Sequence, residues 1–367
     1  RLVVVFTGPS GQKYEVPGFF DGDGAGGAVG DVWRVRFAPD EDGAWQYRAL
    51  FHQGADLAVD LDLSKGSPTS FHNDSGSVNV LPRERTAPGF SRWGRIEYVG
   101  EHYLKFRDGG YFLKGGVDSP ENFLGYAGFE NTWDQGGGAS KTGLAGGVQR
   151  YGGEIAHFGP NGLGDDSDPY FVSEDTGYDS KGIVGALNYL SRVGVNSIYF
   201  LPMNMGGDGR ETVPFVGYGT SHFDKTHYDI SKHHQWNMVF EHATKLGILL
   251  HVVLAETESG NEQWLDNGSL GDQRKLFYRE LIARFGHNLA IKWNLSEEND
   301  YSVSKLRQFA DYIQALDPYD HPIAFHTHWM SGVGPYADYD AVLGESRFSM
   351  TSLQGKPAGM GAHVEDW

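Results

Sequence analysis

The stretch Leu289–Asp300, LAIKWNLSEEND, is an apolar run that ends in two adjacent glutamates, Glu297 and Glu298. The segment before it, QRKLFYRELIARFGHN (273–288), has apolar residues at helical spacing, and its Gly286 suits a C-terminal cap. The segment after it, SVSKLRQFADYIQALDP (302–318), predicts a second amphipathic helix that stops at its proline. The two glutamates therefore lie where a buried strand meets a loop, the edge at which parallel α/β folds concentrate catalytic groups.

Two adjacent carboxyl groups at the end of a buried strand are costly if they serve only a structural purpose. Like charges raise each other's pKa, and burial raises it further. A carboxyl group with a raised pKa stays protonated near neutral pH, as a general acid must. The pair Glu297 and Glu298 therefore predicts acid/base chemistry at this edge.

The composition excludes several classes of function. The chain of 367 residues has 48 acidic and 30 basic residues, a formal net charge of −18, whereas nucleic-acid binding requires a basic surface. No apolar run approaches membrane-spanning length, so we expect no membrane partner. The absence of cysteine excludes disulfides, thiolate nucleophiles and cysteine-ligated zinc, and we expect no cofactor.

Residues 1–85 are predicted to form an all-β accessory domain. Turn-forming clusters separate five candidate strands: LVVVFT (2–7), KYEVPGFF (13–20), DVWRVRFA (31–38), AWQYRALF (44–51) and LAVDLDL (57–63). Short strands at this spacing are typical of a small β-sandwich, which serves either as a binding module or as a brace. Residues 86–96, a basic segment with a proline, are predicted to be a linker.

Residues 97–367 alternate between strand and helix patterns, which predicts about six βα units. The predicted strands are YFLKGGVDSP (111–120), NSIYFLPM (196–203), ILLHVVLAE (248–256), LAIKWN (289–294), PIAFHTHW (322–329) and RFSMTSLQ (347–354). An open doubly wound sheet is the alternative, but its glycine-rich phosphate loop is absent from LKGGVDSPENF (113–123). We therefore predict a (β/α)8 barrel that lacks its last strands in this chain, because a closed barrel needs eight.

Polar residues at several predicted strand ends form the candidate site. In chain order they are Lys114, Asp118, Asn204, Glu256, Glu258, Glu297, Glu298, Asn299, His326, His328 and Gln354. His222 and Trp236, in the segment around the start of a predicted helix, are candidates for the cleft wall. A polar residue at one strand end would not predict a site, but polar residues at the ends of every predicted strand indicate a binding or catalytic site.

His326 and His328 alternate on an extended segment, so both imidazoles face the same way. This spacing suggests a metal pair. Metal-dependent hydrolases of the barrel type carry such a pair on their first strand, whereas here it lies on the fifth. Hydrogen bonding to substrate or to a carboxylate is therefore preferred, and no metal ligand is assigned.

The segment Trp293–Glu298, WNLSEE, resembles the W-x-L-x-N-E ending of strand four in the large clan of retaining (β/α)8 glycoside hydrolases. The resemblance implies that Glu298 is the acid/base. Glu297 replaces the clan's asparagine, which usually contacts the sugar 2-hydroxyl, and is expected to orient the sugar or tune Glu298. The clan's nucleophile is a glutamate at the end of strand seven, so it is expected beyond Trp367, on a further segment of the same polypeptide.

Three other segments, 181–209, YDISKHHQW (228–236) and LHVVLAETE (250–258), resemble a group of bacterial proteins assigned to the glycoside hydrolases. These proteins carry an N-terminal β-sandwich of unknown function and are common in polysaccharide-degrading marine bacteria. The resemblance spans essentially the whole chain. It implies a carbohydrate substrate, which could be a sulfated algal fucan or galactan, and a secreted or periplasmic bacterial protein.

Two other functions remain open from the sequence alone. The histidines could serve a polysaccharide lyase or a metal-dependent hydrolase, with His251 joining the pair on strand five. Alternatively, a cleft without its nucleophile could bind carbohydrate without cleaving it.

Overall fold

The computed structural model describes residues 1–117, 121–134, 147–206, 209–218, 222–328 and 337–354. The predicted all-β character of the first part is confirmed. Its strands are β1 (Leu2–Thr7), β2 (Lys13–Pro17), β3 (Phe19–Phe20), β4 (Trp33–Arg34), β5 (Gly43–Gln53), β6 (Ser67–Pro68) and β7 (Ser75–Val80). The order β2-β1-β5-β6, with β7 also on β5, makes one antiparallel sheet, and β3 pairs with β4. The second full sheet of a sandwich remains a prediction.

The strand predicted over residues 57–63 is wrong, because Leu57–Val59 form a 3-10 turn. The acidic residues that alternate with leucine bind the local backbone instead of facing solvent from a strand. Asp60 Oδ1 accepts from the Asp62 amide at 2.9 Å, and Asp62 Oδ1 accepts from the Ser64 amide at 3.0 Å. Such local side-chain bonds compete with ladder pairing and favour turns.

The N-terminal sheet packs directly on the α/β part of the chain. Tyr319 is buried with Tyr14 and Trp45 in one aromatic cluster, and its hydroxyl accepts from the Ala38 amide at 3.0 Å. Arg284, 2% exposed in its side chain, donates to the Phe20 carbonyl at 2.7 Å. These contacts brace the two parts against each other.

The expected linker over residues 86–96 is instead largely structured. Residues Gly89–Arg92 form a 3-10 turn, and β8 (Ile96–Glu97), β9 (Leu104–Phe106) and β10 (Tyr111–Phe112) form an antiparallel sheet. Its apolar side packs against Leu249 and Ala290, at the amino ends of two parallel strands. Tyr111–Phe112, expected in the first parallel strand, therefore belong to a cap beneath the parallel sheet.

The parallel sheet is formed by five strands in sequential order: β11 (Gly116–Val117), β12 (Ser197–Phe200), β17 (Leu249–Val253), β18 (Ile291–Asn294) and β19 (Ile323–Ala324). Between the second and third lie two hairpins, β13 (Asn204–Gly206) with β14 (Gly209–Thr212) and β15 (Phe215–Tyr218) with β16 (His222–Tyr228). A parallel bridge from His326 to Ser352 marks the sixth predicted strand. Within the described ranges these strands do not close into a barrel, so the closed (β/α)8 form remains a prediction.

Three predicted helices are confirmed as α2 (Ile230–Leu246), α3 (Asp272–Phe285) and α4 (Val303–Leu316). The chain also forms α1 (Lys181–Arg192) before β12 and a short α5 (Ala337–Asp340). The N-cap Asp229 of α2 accepts from the Lys232 amide, and Gly247 ends that helix with a φ of 76°. In the described ranges no helix has both the length and the apolar character to cross a bilayer.

The two faces of the parallel sheet differ in character. In register across β12, β17 and β18, the residues Phe200, Val252 and Trp293 belong to the main apolar core. One position earlier, Tyr199, His251 and Lys292 are in register and point to the opposite face. We call the side lined by Tyr199, His251 and Lys292 the inner face; these three side chains are buried, and Leu201 and Val253 pack with Tyr199 on the same side.

Candidate functional site

The pairing of β17 with β18 continues past the strand ends and brings two glutamates together. A parallel bridge joins Glu256 to Glu297, and the Glu297 amide donates to the Ala255 carbonyl at 2.8 Å. The Thr257 amide donates to the Glu297 carbonyl at 3.2 Å. Glu256 is only 1% exposed. The backbone therefore holds both residues at the carboxyl edge of the sheet.

Glu121, which follows the first parallel strand, completes a cluster of three carboxylates. One carboxylate oxygen from each of Glu121, Glu256 and Glu297 lies within 4.8 Å of the others. Negative charges this close must be balanced by protons or by neighbouring positive charge. The three oxygens could hold a hard cation such as Mg²⁺, with water completing its coordination, but no metal ligand is assigned among them.

His326 lies beside this cluster as a neutral imidazole. Its Nδ1 is 3.6 Å from Glu297 Oε1 and 3.5 Å from the Tyr199 hydroxyl oxygen. Burial, and to a smaller extent the positive charges of Lys292 and His328, lowers the pKa of His326 to about 4. His326 is therefore a hydrogen-bonding group at neutral pH and not a cation.

Glu298 lies at the solvent edge of the same segment. Its side chain is 28% exposed, and its Oε2 is 3.8 Å from His328 Nδ1. The other nitrogen of His328, Nε2, is 3.0 Å from Asp300 Oδ1. Hydrogen bonds from Thr257 and His328 lower the pKa of Asp300. The two histidines predicted as a pair therefore contact different acids, His326 with Glu297 and His328 with Glu298 and Asp300.

Glu298 also has an unusual backbone conformation. Its φ is 41°, in the left-handed region that residues with a Cβ rarely occupy. Such strain costs about 1 kcal/mol and persists where the surrounding structure enforces it, which happens often at functional sites. This observation singles out Glu298 within the segment.

The buried side chain of Glu262 forms hydrogen bonds to residues on either side of Glu297 and Glu298. Its Oε1 accepts from the Ser296 hydroxyl at 2.6 Å and from the Asp300 amide at 3.1 Å. Its backbone carbonyl accepts from Arg274 at 2.7 Å and from the Tyr301 hydroxyl at 2.8 Å. Sequence analysis did not identify Glu262, because it comes from a 3-10 turn between β17 and α3 that follows no periodic pattern.

Most other predicted residues lie near the carboxylate cluster. Asn204, fully buried, begins the first hairpin, and the neighbouring Met205 amide is 3.4 Å from Asn261 Oδ1. Asn261 in turn donates to Glu256 Oε1 at 3.4 Å. Asn299 is buried and its amide donates to the His326 carbonyl at 2.9 Å. These contacts connect the predicted residues through the loops that follow the strands.

The remaining candidates at this edge are more peripheral. Glu258 begins the 3-10 turn after β17, and the Gln354 amide donates to Thr327 Oγ1 at 3.1 Å. His222 is exposed at the start of β16. Asp118 lies outside the described residues.

Two predicted site residues are placed elsewhere by the structure. Trp236 is fully buried in α2, where its ring packs against Phe129 and His233. Its helical position turns it into the core, so it cannot stack on a ligand from the cleft. Lys114 is exposed and precedes β11, which puts it at the amino end of the parallel sheet and not at the carboxyl edge.

A cavity of about 420 Å³ lies away from the carboxylate cluster, between the N-terminal sheet and the helices. Its lining includes Trp33, Tyr228 and Arg279, and none of the clustered glutamates. The strand-end geometry, not this cavity, defines the candidate active site.

Comparison with known proteins supports a shared fold. A family model described as a domain of unknown function, DUF5060, matches residues 1–52. No curated protein sequence matches the chain. A solved structure from Bacteroides vulgatus, described as a presumed glycoside hydrolase, is 15% identical and covers 100% of this chain, with a TM-score of 0.63. The chain spans 58% of the length of that structure.

Two further solved structures are similar over part of the chain. A family 5 glycoside hydrolase from Bacteroides vulgatus is 13% identical, over 67% of this chain and 42% of its own, with a TM-score of 0.36. A β-mannanase from the blue mussel Mytilus edulis is 12% identical, over 65% and 64% respectively, also with a TM-score of 0.36. The match that covers the whole chain shows a fold shared with the Bacteroides vulgatus structure described as a presumed glycoside hydrolase.

Proposed function

We propose that the protein is a glycoside hydrolase that cleaves a polysaccharide or oligosaccharide with retention of configuration. The observation that carries the proposal is the convergence of Glu121, Glu256 and Glu297 at the carboxyl edge, with Glu298 beside them at the solvent edge. Carboxyl groups in contrasting environments can take opposite acid/base roles. The fold shared with a glycoside hydrolase structure supports the same conclusion.

In this proposal Glu298 is the acid/base. It protonates the glycosidic oxygen as the bond to the anomeric carbon breaks, while a second carboxylate forms a glycosyl ester. Glu298 then removes a proton from water, which attacks the anomeric carbon and releases that carboxylate. Its solvent-edge position suits proton exchange with water. Negative charge in the cluster would stabilise the positive charge that develops on the sugar.

Glu297 orients the sugar in place of the asparagine that the resemblance leads us to expect. Its fixed backbone and its proximity to His326 support a positioning role. The second carboxylate should lie about 5–5.5 Å from that of Glu298. A fluorosugar that traps the glycosyl ester, followed by peptide mapping, would identify the nucleophile among Glu121, Glu256 and the glutamates outside the described residues.

The charge distribution of the described site gives little support to a sulfated substrate. A sulfate group would be recognised by basic side chains. Of these, Lys114 lies at the opposite end of the sheet. Lys232 is buried, and its Nζ donates hydrogen bonds to the carbonyls of Asn131 and Val213 at 2.9 Å. His328 is engaged with Asp300. We propose a neutral glycan, and comparing hydrolysis of one polysaccharide before and after desulfation tests this. We also propose export from a bacterial cell, which fractionation of the producing organism would test.

The test of the proposed function starts with a panel of polysaccharides and aryl glycosides. On the active substrate, Glu298→Gln should lower kcat by 10²- to 10⁴-fold, about the contribution of general acid catalysis. The loss in the glycosylation step should be much smaller with a dinitrophenyl leaving group, which needs no protonation. Glu101→Gln, at an exposed position in the turn between β8 and β9, is the matched control and should have no effect.

Full activity of Glu298→Gln on both kinds of substrate would remove Glu298 from the acid/base role. Tight binding of a glycan by the wild-type protein without any turnover would favour a carbohydrate-binding function. An unsaturated product absorbing in the ultraviolet would identify a lyase.

A further inference from the structure

The cavity between the N-terminal sheet and the helices has no part in the proposed reaction. Its volume of about 420 Å³ lies within the range of about 300–1,000 Å³ that is typical of small-molecule sites. One wall comes from the N-terminal part and includes Phe19, Phe20 and Trp33. The opposite wall comes from β16 and α3 and includes Tyr228 and Arg279. Small-molecule sites are often found at such a junction between two parts of a chain.

The lining residues differ in exposure, which gives the cavity a mouth and a deep end. Trp33 is 40% exposed and Val216 is 48% exposed, so both lie where the cavity meets solvent. Arg279 is 4% exposed and Phe19 is 1% exposed, so both belong to the deep end. A small molecule that enters past Trp33 and Val216 therefore meets Arg279 at the inner end.

Arg279 has a buried positive charge that forms no ion pair within the described ranges. A guanidinium has five N–H donors, and one of those on Arg279, at Nη2, donates to the Leu2 carbonyl at 3.0 Å. The other four have no hydrogen-bond partner among the residues that the structure describes. A buried cation without a counter-ion is costly, so an anion that enters the cavity would be a favourable partner for Arg279.

The lining of the cavity has an excess of positive charge, although the formal net charge of the chain is −18. Three arginines line it, Arg1, Arg279 and Arg284, and among the described lining residues the one acidic side chain is Glu280. Glu280 Oε1 is 2.6 Å from Arg284 Nε, so its charge is already paired. The Arg1 guanidinium donates to the Asp60 carbonyl at 2.7 Å. Arg279 is therefore the lining group best suited to receive an anion.

The rest of the lining favours an apolar ligand body over a sugar. Phe20 and Trp33 meet edge to face, with 5.9 Å between their ring centroids, and Leu276 of α3 also lines the cavity. A sugar has several hydroxyl groups, each of which needs a hydrogen-bond partner when it is buried. The polar side chains of Thr226 and His227 line the cavity but are exposed and already bonded to Asp224.

We propose that this cavity binds a small monocarboxylate with an apolar body, whose carboxylate group pairs with Arg279. The planar guanidinium can offer two parallel N–H groups to the two oxygens of one carboxylate, and such charge-assisted pairs are stronger than bonds between neutral groups. The apolar body is accommodated by the aromatic and aliphatic lining. The site lies away from the carboxylate cluster, so it does not depend on the proposed function.

The test is a ligand-observed NMR titration of the full 367-residue chain with benzoate as the probe. We expect saturable binding with a Kd of about 1 mM or lower, which is within reach of a ligand of this size. Benzamide has the same shape without the charge. It should bind at least about tenfold more weakly, because a hydrogen-bonded ion pair is lost.

Two kinds of variant locate the site. Arg279→Met should weaken benzoate binding at least about tenfold, whereas Arg279→Lys keeps the positive charge and should lose less. Val216→Trp places a larger side chain at the mouth and should block entry without changing the deep end, so it decides the question if Arg279→Met does not fold. Val78→Trp is the matched control, because Val78 is 47% exposed on β7 and does not line the cavity.

Absence of benzoate binding at millimolar concentration overturns the inference, as does binding that survives Val216→Trp unchanged. Glucuronate that binds more tightly than benzoate would assign a sugar acid and overturn the apolar body. Displacement of benzoate by equimolar sulfate would indicate a general anion site and overturn the choice of a carboxylate. Glu298→Gln should bind benzoate as the wild type does, so a failure of the proposed hydrolase function is distinguishable from a failure of this site.

Discussion

Ser296 donates a hydrogen bond to Glu262 Oε1 at 2.6 Å, immediately before the two glutamates at the end of β18. The same oxygen accepts from the Asp300 amide at 3.1 Å, on the other side of those glutamates. One buried carboxylate thus fixes both ends of the segment that carries Glu297 and Glu298. The loop position of the proposed acid/base is therefore defined by a residue that need not contact substrate.

Replacing Glu262 should separate its hydrogen bonding from its charge. Glu262→Ala leaves the Ser296 hydroxyl and the Asp300 amide without their acceptor, which should cost about 1–3 kcal/mol each where buried and lower kcat. Glu262→Gln keeps an acceptor oxygen and should retain the geometry. Urea denaturation and kcat of the two variants provide the measurement, and equal damage from both would refute this account.

Glu262→Gln also carries a pH signature. Burial raises the pKa of Glu262 above its usual value, so the folded protein binds this proton more tightly than the unfolded chain. Its contribution to stability is present below the unfolded pKa and is lost as pH rises through the folded pKa. The free-energy difference between wild type and Glu262→Gln should therefore shift in favour of the variant between pH 4 and pH 7.

Because the backbone of Glu298 is strained, replacing this residue by glycine should raise stability and lower activity. Glycine adopts a φ of 41° without a steric penalty, so Glu298→Gly should raise the free energy of unfolding by up to about 1 kcal/mol. The same variant should lose activity, because the proposed acid/base is gone. Glu298→Gln, which keeps the Cβ, should lose activity without gaining stability. Chemical denaturation of both variants tests this, and a destabilised Glu298→Gly would contradict it.

Much of the fold could be predicted because the pattern is local. Helices α1 to α4 follow from apolar residues at helical spacing, and the strand over Leu249–Val253 follows from a short apolar run between two helices. The strand predicted at 57–63 was wrong because alternating aspartates favour side-chain bonds to the backbone over pairing. The sequence pattern alone did not distinguish the strand at Leu249–Val253 from the turn at Leu57–Val59.

The candidate site was predictable where it follows strand ends and not where it depends on tertiary context. Glu256, Glu297 and His326 lie together because parallel strands end at one edge. Lys114 was misplaced because the strand begins after it, and Trp236 because an aromatic near the cleft in sequence can still face the core. Lys292 could have been singled out from the sequence, because a lysine inside an apolar strand is almost never fully buried unless it is paired.

Trp236 should behave as a core residue and not as part of the cleft. Trp236→Ala should lower the free energy of unfolding by roughly 3–5 kcal/mol, as expected for truncating a fully buried aromatic side chain. Trp236→Phe should cost less and leave KM for the active glycan unchanged. Thermal denaturation and steady-state kinetics of the phenylalanine variant test this, and a marked rise in KM at unchanged stability would return Trp236 to the substrate site.

Buried histidines predict that the protein loses stability as pH falls from about 6.5 toward 4. Burial lowers the pKa of both His242 and His326 to about 4 and holds that of His233 and His251 well below the usual value. Between the unfolded and folded pKa values the unfolded chain binds more protons, so stability rises with pH across that window. His242 and His326 can each contribute about 1–3 kcal/mol, since one pKa unit corresponds to about 1.4 kcal/mol.

The measurement is urea denaturation at pH 7.5, 6 and 5 on wild type and on His242→Gln. His242 is suited to this test because it lies away from the carboxylate cluster, with its Nε2 2.8 Å from Asn188 Oδ1. Glutamine can still donate to that oxygen but does not titrate, so the variant should show a shallower pH dependence than wild type. The raised pKa of Glu262 acts in the opposite direction over the lower part of this range, so a decline on acidification implies that the histidines outweigh it. A His242→Gln variant whose stability depends on pH as steeply as that of wild type would show that His242 is not buried in the neutral form.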